Sequence, residues 1–223
     1  MLSNIGNSLI LLIIILSFSI IFFSAKNLKE KSELLPTKIF SLSLYQSTAS
    51  IMTFFTLVVG FIISDFSLIT VFQNSHSFNP LFYKISGTWG NHEGSLLLWI
   101  NIMVIFSYLF LLFNKKTNKE FQIYTLISQN FLIIGFLFFL FINSNPFQPI
   151  FPIPSEGLGL NPILQDPALA IHPPVLYLGY VGSSIIFSSV LAATIMNYIS
   201  KTWASHIKNW VLISWIFLTL GIL

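Results

Sequence analysis

Apolar residues in this chain fall in long blocks instead of alternating with polar ones. Six blocks reach or approach the roughly 20 residues that cross a bilayer. They are Ser8–Ala25, Ser41–Ser64, Ser95–Phe113, Gln122–Asn143, Pro174–Met196 and Asn209–Leu223. Each is apolar on every face, as a lipid-embedded helix is, whereas a helix on a soluble core keeps one polar face. The pattern predicts an all-α, polytopic membrane protein of about six transmembrane helices, forming a single membrane domain over residues 1–223. The sixth block stops at the chain end and is slightly short. No internal repeat or low-complexity linker interrupts the series.

Composition narrows the class further. Only 8% of the 223 residues are charged, against about 25% in soluble domains, and the mean hydropathy is +0.83. That excludes a soluble enzyme and a disordered chain. A net charge of +3, scattered along the chain, makes no basic footprint, so nucleic acid is excluded as a partner. Cysteine is absent, which removes disulfides, thiolate metal sites and thiol chemistry. Arginine is absent too. With 24 Phe and many Ile, Asn and Lys, this hints at an AT-rich genome such as an organellar one.

The lysines predict an orientation. Nine of the ten fall in alternate connections: Lys26, Lys29, Lys31 and Lys38, then Lys115, Lys116 and Lys119, then Lys201 and Lys208. Lys84 alone falls in the others. Positive residues stay on the cytoplasmic or matrix side, so the N-terminus and the segments Asp65–Gly94 and Ser144–Pro173 are expected outside. Nothing charged precedes Ser8, so the first block reads as a retained anchor, not a signal peptide.

Nearly all the unusual residues sit in those two outer segments. The first ends in Ser86-Gly87-Thr88-Trp89-Gly90-Asn91-His92-Glu93-Gly94-Ser95. Its glycines allow sharp turns, Glu93 suits a helix start, and Trp89 and Trp99 suit a membrane interface. A histidine beside a carboxylate at a membrane edge needs a partner, which makes His92 a candidate ligand or hydrogen-bonding group. The second outer segment holds eight of the ten prolines between Pro146 and Pro174. It reads as a rigid, non-helical cover packed on protein. It leads into His172-Pro173-Pro174, which sets His172 at or just before a helix start, on backbone that Pro173 holds extended. An imidazole on a stiff frame is a good axial ligand for heme iron; a solvated helix-start histidine is the plainer reading. Behind it, Gly179, Gly182, Ser183 and Ser184 leave a small-residue face, suited to helix packing before any flat cofactor. His76 reads as solvated, and His206 falls on the lysine-rich side.

At this point the chain resembles a family. Thr88 to Trp99, with its Trp89-Gly90-Asn91-His92-Glu93-Gly94-Ser95 core, is similar to the Trp-Gly-x-His-Glu-Gly-Ser motif of CcmF-type cytochrome c heme lyases. Glu156 to Pro167, His172 to Gly182 and Trp215 to Ile222 resemble further motifs of that family, in order and spacing. The resemblance implies a membrane heme b with His172 as one axial ligand, and leaves Trp89, His92 and Glu93 as further cofactor-binding candidates. It also implies a role in cytochrome c maturation: heme is received from a CcmE-type chaperone and attached to apocytochrome c on the outer face, beside a CcmH-type thiol reductase. The family's tryptophan-rich WWD segment follows the helix that begins here near Asn209, and this sequence ends before it. The expectation is therefore either a truncated sequence or the N-terminal piece of a split protein, whose C-terminal CcmF piece carries the WWD segment; alone it should not be a competent lyase. A mitochondrial inner membrane is expected, with a bacterial cytoplasmic membrane as the alternative. The rival function is a transporter or redox-driven ion pump, disfavoured because the apolar blocks hold almost no ionisable groups. A relative dedicated to nitrite reductase maturation is a closer rival that these residues leave open.

Overall fold

The computed structural model describes residues 1–30, 34–114 and 117–223. Lys31, Lys115 and Lys116, three of the lysines behind the orientation argument, lie outside the described residues. The apolar blocks form long helices: α1 (Leu2–Glu30), α2 (Leu34–Ile62), α5 (His92–Phe113) and α6 (Lys119–Asn143). Short helices α3 (Ile69–Asn74) and α4 (Leu81–Gly87) occupy the first long connection. A 3-10 turn at Pro162–Leu164 precedes α7 (Pro167–Tyr180), α8 (Ser183–Ile195) and α9 (Lys201–Ile222).

Among the described residues, five stretches are long and apolar enough to cross a membrane: Leu2–Glu30, Pro36–Ile62, His92–Phe113, Lys119–Asn143 and Pro167–Ile195. The chain is an all-α, multi-pass membrane protein. The fifth stretch contains the predicted block Pro174–Met196, but it starts earlier and breaks between α7 and α8. At the break, a side chain on Gly182 would overlap the Leu178 carbonyl and lie 2.7 Å from the Phe106 ring. The sixth block lies in α9, which is not among the five, because Lys201, His206 and Lys208 dilute its first half. At about 1.5 Å per residue, its 22 residues still reach roughly 33 Å.

Helix α1 packs on α2 and α6, α2 on α5, and α6 on α5 and α8. Lipid tails are as apolar as leucine, so close packing and interhelical hydrogen bonds hold such a bundle together. Both are present. Ile10, Ile13, Leu57, Phe61, Leu97, Ile100 and Phe110 are buried in one core. Through that core runs an amide and hydroxyl network. Gln46 Nε2 on α2 donates to Ser17 Oγ on α1 (2.7 Å) and to Asn130 Oδ1 on α6 (2.8 Å). Ser50 Oγ donates to Asn101 Oδ1 on α5 at 3.0 Å. Ser188 Oγ on α8 donates to Gln129 Oε1 at 2.8 Å, and Gln129 Nε2 donates to Ser184 Oγ at 2.9 Å. Every buried polar residue among those described is Ser, Thr, Asn or Gln.

Helices α7 and α9 pair separately, through small residues. A Cβ on Gly179 would overlap Leu218 N and lie 2.7 Å from Ser214 O; one on Gly221 would lie 2.8 Å from Leu176 Cα. The small face is therefore a helix-packing face, as expected.

Candidate functional site

The two long connections meet at the lysine-poor end and are tied together by backbone. Ile69 N–H donates to Gln148 O (3.0 Å) and Ile150 N–H to Ser67 O (2.9 Å), around an isolated bridge of Leu68 with Pro149. Leu158 N–H donates to Phe72 O (2.8 Å) and Gly159 N–H to Ser75 O (3.0 Å). The start of α1 joins them: Ser3 Oγ donates to Phe147 O, and Asn145 Nδ2 to Asn7 Oδ1, both at 2.7 Å. Prolines strip this stretch of donors and forbid a regular ladder, so the remaining N–H groups find partners across the gap. The proline-rich segment packs only in part, because Phe147 and Leu160 are buried whereas Phe151, Ile153, Leu158 and Ile163 stand exposed, and it is not free of helix, since it includes the 3-10 turn and the first residues of α7.

Glu156 fastens the cover. Its carboxylate accepts hydrogen bonds from the Ser77 hydroxyl, Ser77 N–H (2.9 Å) and Gly157 N–H (3.0 Å). These donors, the Ser77 hydroxyl foremost, lower its pKa from 4.5 to about 2. His76 is not simply solvated. Its Nδ1 accepts from Phe78 N–H at 3.2 Å and lies 3.8 Å from Glu156 Oε1, with the ring stacked on Phe78.

The region of His172 differs from the expectation. Helix α7 begins at Pro167, not at Pro174, because Asp166 caps it: Oδ1 accepts from Ala168 N–H (2.8 Å) and Leu169 N–H (3.1 Å). His172 is thus helical, and Pro173 and Pro174 lie inside the helix. Each proline leaves a carbonyl one turn earlier without its N–H partner. For Pro174 that carbonyl belongs to Ala170, and Trp89 Nε1 donates to it at 2.8 Å. Trp89 is therefore a tie between the two segments as well as an interface aromatic; its ring stacks on Phe54.

His172 itself is exposed, and among the described residues no hydrogen bond or ion pair holds its imidazole. It shares a face of α7 with Leu176 and Gly179, at helical spacing. Those two residues carry Gly221 and Leu218 of the antiparallel α9. Continued by one turn, that register sets His172 just beyond Leu223. Leu169 and Ile171 beside it are also exposed, at 41% and 55%.

The other motif builds the start of α5. Asn91, which the motif reading passed over, is the cap: Oδ1 accepts from Gly94 N–H and Nδ2 donates to Gly87 O, both at 2.7 Å. Asn three residues before Gly at a helix entry was the available signal. Gly94 is needed for space, since a side chain there would overlap the Thr88 carbonyl. Glu93 sits in the first turn, where the helix dipole favours it. His92 is exposed, lies edge-on to Phe139, and lines a cavity of about 210 Å³ with Ser95, Leu96, Trp99 and Tyr177. An apolar groove of about 590 Å³ shares Leu96 and Trp99 with it and continues along Phe131, Phe136 and Phe139. Tyr177, unmarked by the sequence, thus joins His92. His172 does not line that cavity; five residues before Tyr177, it points roughly 140° away around α7. Among the described residues, no three His, Cys, Asp or Glu side chains gather as for a bare metal ion.

A multi-pass helical membrane protein with one end tied across its two long connections, an exposed imidazole at the start of α5 and no buried charge among the described residues is the class defined so far. Comparison with known proteins refines it. Residues 89–223 match the family model described as cytochrome C assembly protein, and the chain belongs to that family. It is 48% identical over 170 residues to the cytochrome c-type biogenesis protein CycK of Rhizobium meliloti, covering 76% of this chain and 25% of CycK. Identity to Escherichia coli CcmF is 39%, over 83% of this chain and 29% of that protein. Haemophilus influenzae NrfE matches at 38% over 100% of this chain and 35% of its own length. The fold is similar to a solved structure titled Cytochrome c Heme Lyase CcmF, with TM-score 0.84 and 23% identity, over 99% of this chain and 35% of that one. The chain spans about a quarter to a third of the length of these relatives.

Proposed function

We propose that this chain forms the N-terminal part of a CcmF-type heme lyase in cytochrome c maturation, with its lysine-poor end facing outside, and that His172 supplies an axial ligand to heme iron at that end. The observation that carries this is the position of His172: exposed, without a hydrogen-bond partner among the described residues, and one turn before Leu176, which packs on Gly221 of α9. The family's WWD segment follows that helix, so a C-terminal piece carrying it would emerge beside His172.

The residues present fit a heme at this rim. A neutral imidazole offers a nitrogen lone pair. Trp89, by binding the carbonyl that Pro174 frees, fixes the turn that carries the imidazole. Exposed Leu169 and Ile171 offer apolar surface to a porphyrin edge. When bound, a heme supplies the group to be attached, or the electrons that keep iron reduced; the resemblance implies a heme b here. On this reading the working partners are the WWD-bearing piece, a CcmE-type chaperone, a CcmH-type thiol reductase and apocytochrome c. The named relatives are bacterial, which favours a bacterial cytoplasmic membrane over the mitochondrial one.

The test is His172→Ala in the chain assembled with its WWD-bearing partner. The expected result is loss of most bound heme by absorption spectrum, with no cytochrome c maturation. His172→Gly with added imidazole should restore part of the spectrum, since a free ligand fills the vacated axial position. An unchanged heme spectrum in His172→Ala would transfer the assignment to His92.

A further inference from the structure

The lysine-rich end holds a cavity that the proposed heme chemistry leaves unused. It encloses about 720 Å³ between α5, α7 and α9, and Phe113 and Ile213 on its wall are exposed. Leu109, Phe113, Ile213 and Phe217 are among its apolar walls. Its polar side chains collect toward one end, where Ser205, His206 and Asn209 line it. Among the described residues none of these three has a hydrogen bond or ion pair through its side chain, and no acidic side chain is among the cavity's described lining. From Ser205 to Phe217 the lining climbs roughly 18 Å along α9, at about 1.5 Å per residue. That is close to the depth of one leaflet in a hydrocarbon core about 30 Å thick.

Charge completes the picture. Lys201 lies one turn before Ser205 and Lys208 three residues after it; residues at these spacings are neighbours on a helix surface, and both lysines are exposed. Lys201 is also the first residue of α9, whose open N–H groups favour an anion. Ser200 Oγ satisfies only the Trp203 N–H. A cationic, hydrogen-bonding rim thus sits over an apolar slot that reaches the surface of the bundle. Basic pockets between helices on this side of a membrane suit anionic headgroups.

We infer that this cavity binds one anionic phospholipid of the lysine-rich leaflet, such as phosphatidylglycerol or cardiolipin. One acyl chain lies along Ile213 and Phe217, and the phosphate meets Ser205, His206 and Asn209 beneath Lys201 and Lys208. An uncharged lipid would fill the slot but leave the two ammonium groups without a counter-charge.

The experiment is native mass spectrometry and lipid extraction on the chain assembled with its WWD-bearing partner, reconstituted with phosphatidylglycerol and phosphatidylethanolamine in equal amounts. The wild type should retain about one phospholipid per complex, with phosphatidylglycerol enriched several-fold. Lys201→Gln with Lys208→Gln should bring retention back toward the bulk ratio. Ile213→Trp, at a 40% exposed position on the cavity wall, should lose retained lipid of both kinds while the heme spectrum persists. Bulk-ratio lipid in the wild type, or enrichment untouched by both variants, would overturn the proposal. So would a photo-crosslinker at position 213 that captures polypeptide instead of lipid.

Discussion

The two ends of the bundle solve the problem of leaving a membrane in opposite ways. At the lysine-rich end the connections are short, and lysines and helix caps hold the chain at the boundary; Asn118 and Ser200 cap the helices that start there. At the lysine-poor end the connections run for 29 residues (63–91) and 23 residues (144–166), yet nearly every element is tied to a distant one. Ser67 meets Ile150, Phe72 meets Leu158, and Trp89 meets Ala170. The contrast shows where precise placement is needed. Short turns need only anchoring, whereas the tied end carries exposed His92 and His172 on helices joined by the Trp89 bond to Ala170.

The sharpest break of that comparison is topological. The native chain has no cysteine, so single cysteines report cleanly. Ser155→Cys should react with an impermeant thiol reagent added outside sealed vesicles, and Lys29→Cys only after the membrane is opened. The reverse pattern would invert the assignment of the two ends.

The α7–α9 pair comes next. Gly179→Val drives two methyl groups into the backbone of α9 at Ser214 and Leu218, and overpacking of this kind costs about 3 kcal/mol. A lowered melting temperature of the assembled protein, with weakened heme retention because His172 rides on the same face, is the expected outcome. Gly135→Val, where a Cβ meets nothing within 4 Å, is the control and should melt nearly as the wild type does.

Trp89→Phe keeps the ring but removes the donor to Ala170 O, at a cost of about 1–2 kcal/mol for the unpaired carbonyl. The loss should shrink in a Pro174→Ala background, where residue 174 regains the N–H that bonds this carbonyl within the helix. Equal losses in both backgrounds would deny the coupling between Trp89 and the proline.

The smallest effect is at Glu156. Its pKa is lowered in the folded protein from 4.5 to about 2. Its contribution is therefore complete above pH 4.5 and fades as pH falls toward about 2. Glu156→Gln should speed hydrogen exchange of the Ser77 and Gly157 amides at neutral pH and leave the long helices unaffected. The difference from wild type should vanish near pH 2. A difference that persists there would mean that the carboxylate charge is not what fastens the cover.

Sequence alone determined the membrane class and the long helices, because an unbroken apolar block can hide its backbone in lipid only as a helix. It also located the chemistry-bearing residues in two connections, since Trp, His and clustered Pro are conspicuous against leucine and phenylalanine. It misplaced the start of α7. Pro173 and Pro174 read locally as a helix boundary, whereas Asp166 capped the helix earlier and Trp89, 81 residues upstream of Ala170, supplied the bond that a proline withholds. The pairing of His92 with Tyr177, the position of His172 at the end of the α9 seam, and the cavity beside Ser205 and His206 were decided by tertiary structure. Each depends on the register between helices, which for α7 and α9 is fixed by where Gly179 and Gly221 let backbones touch, and a one-dimensional pattern of apolar residues carries no measure of that.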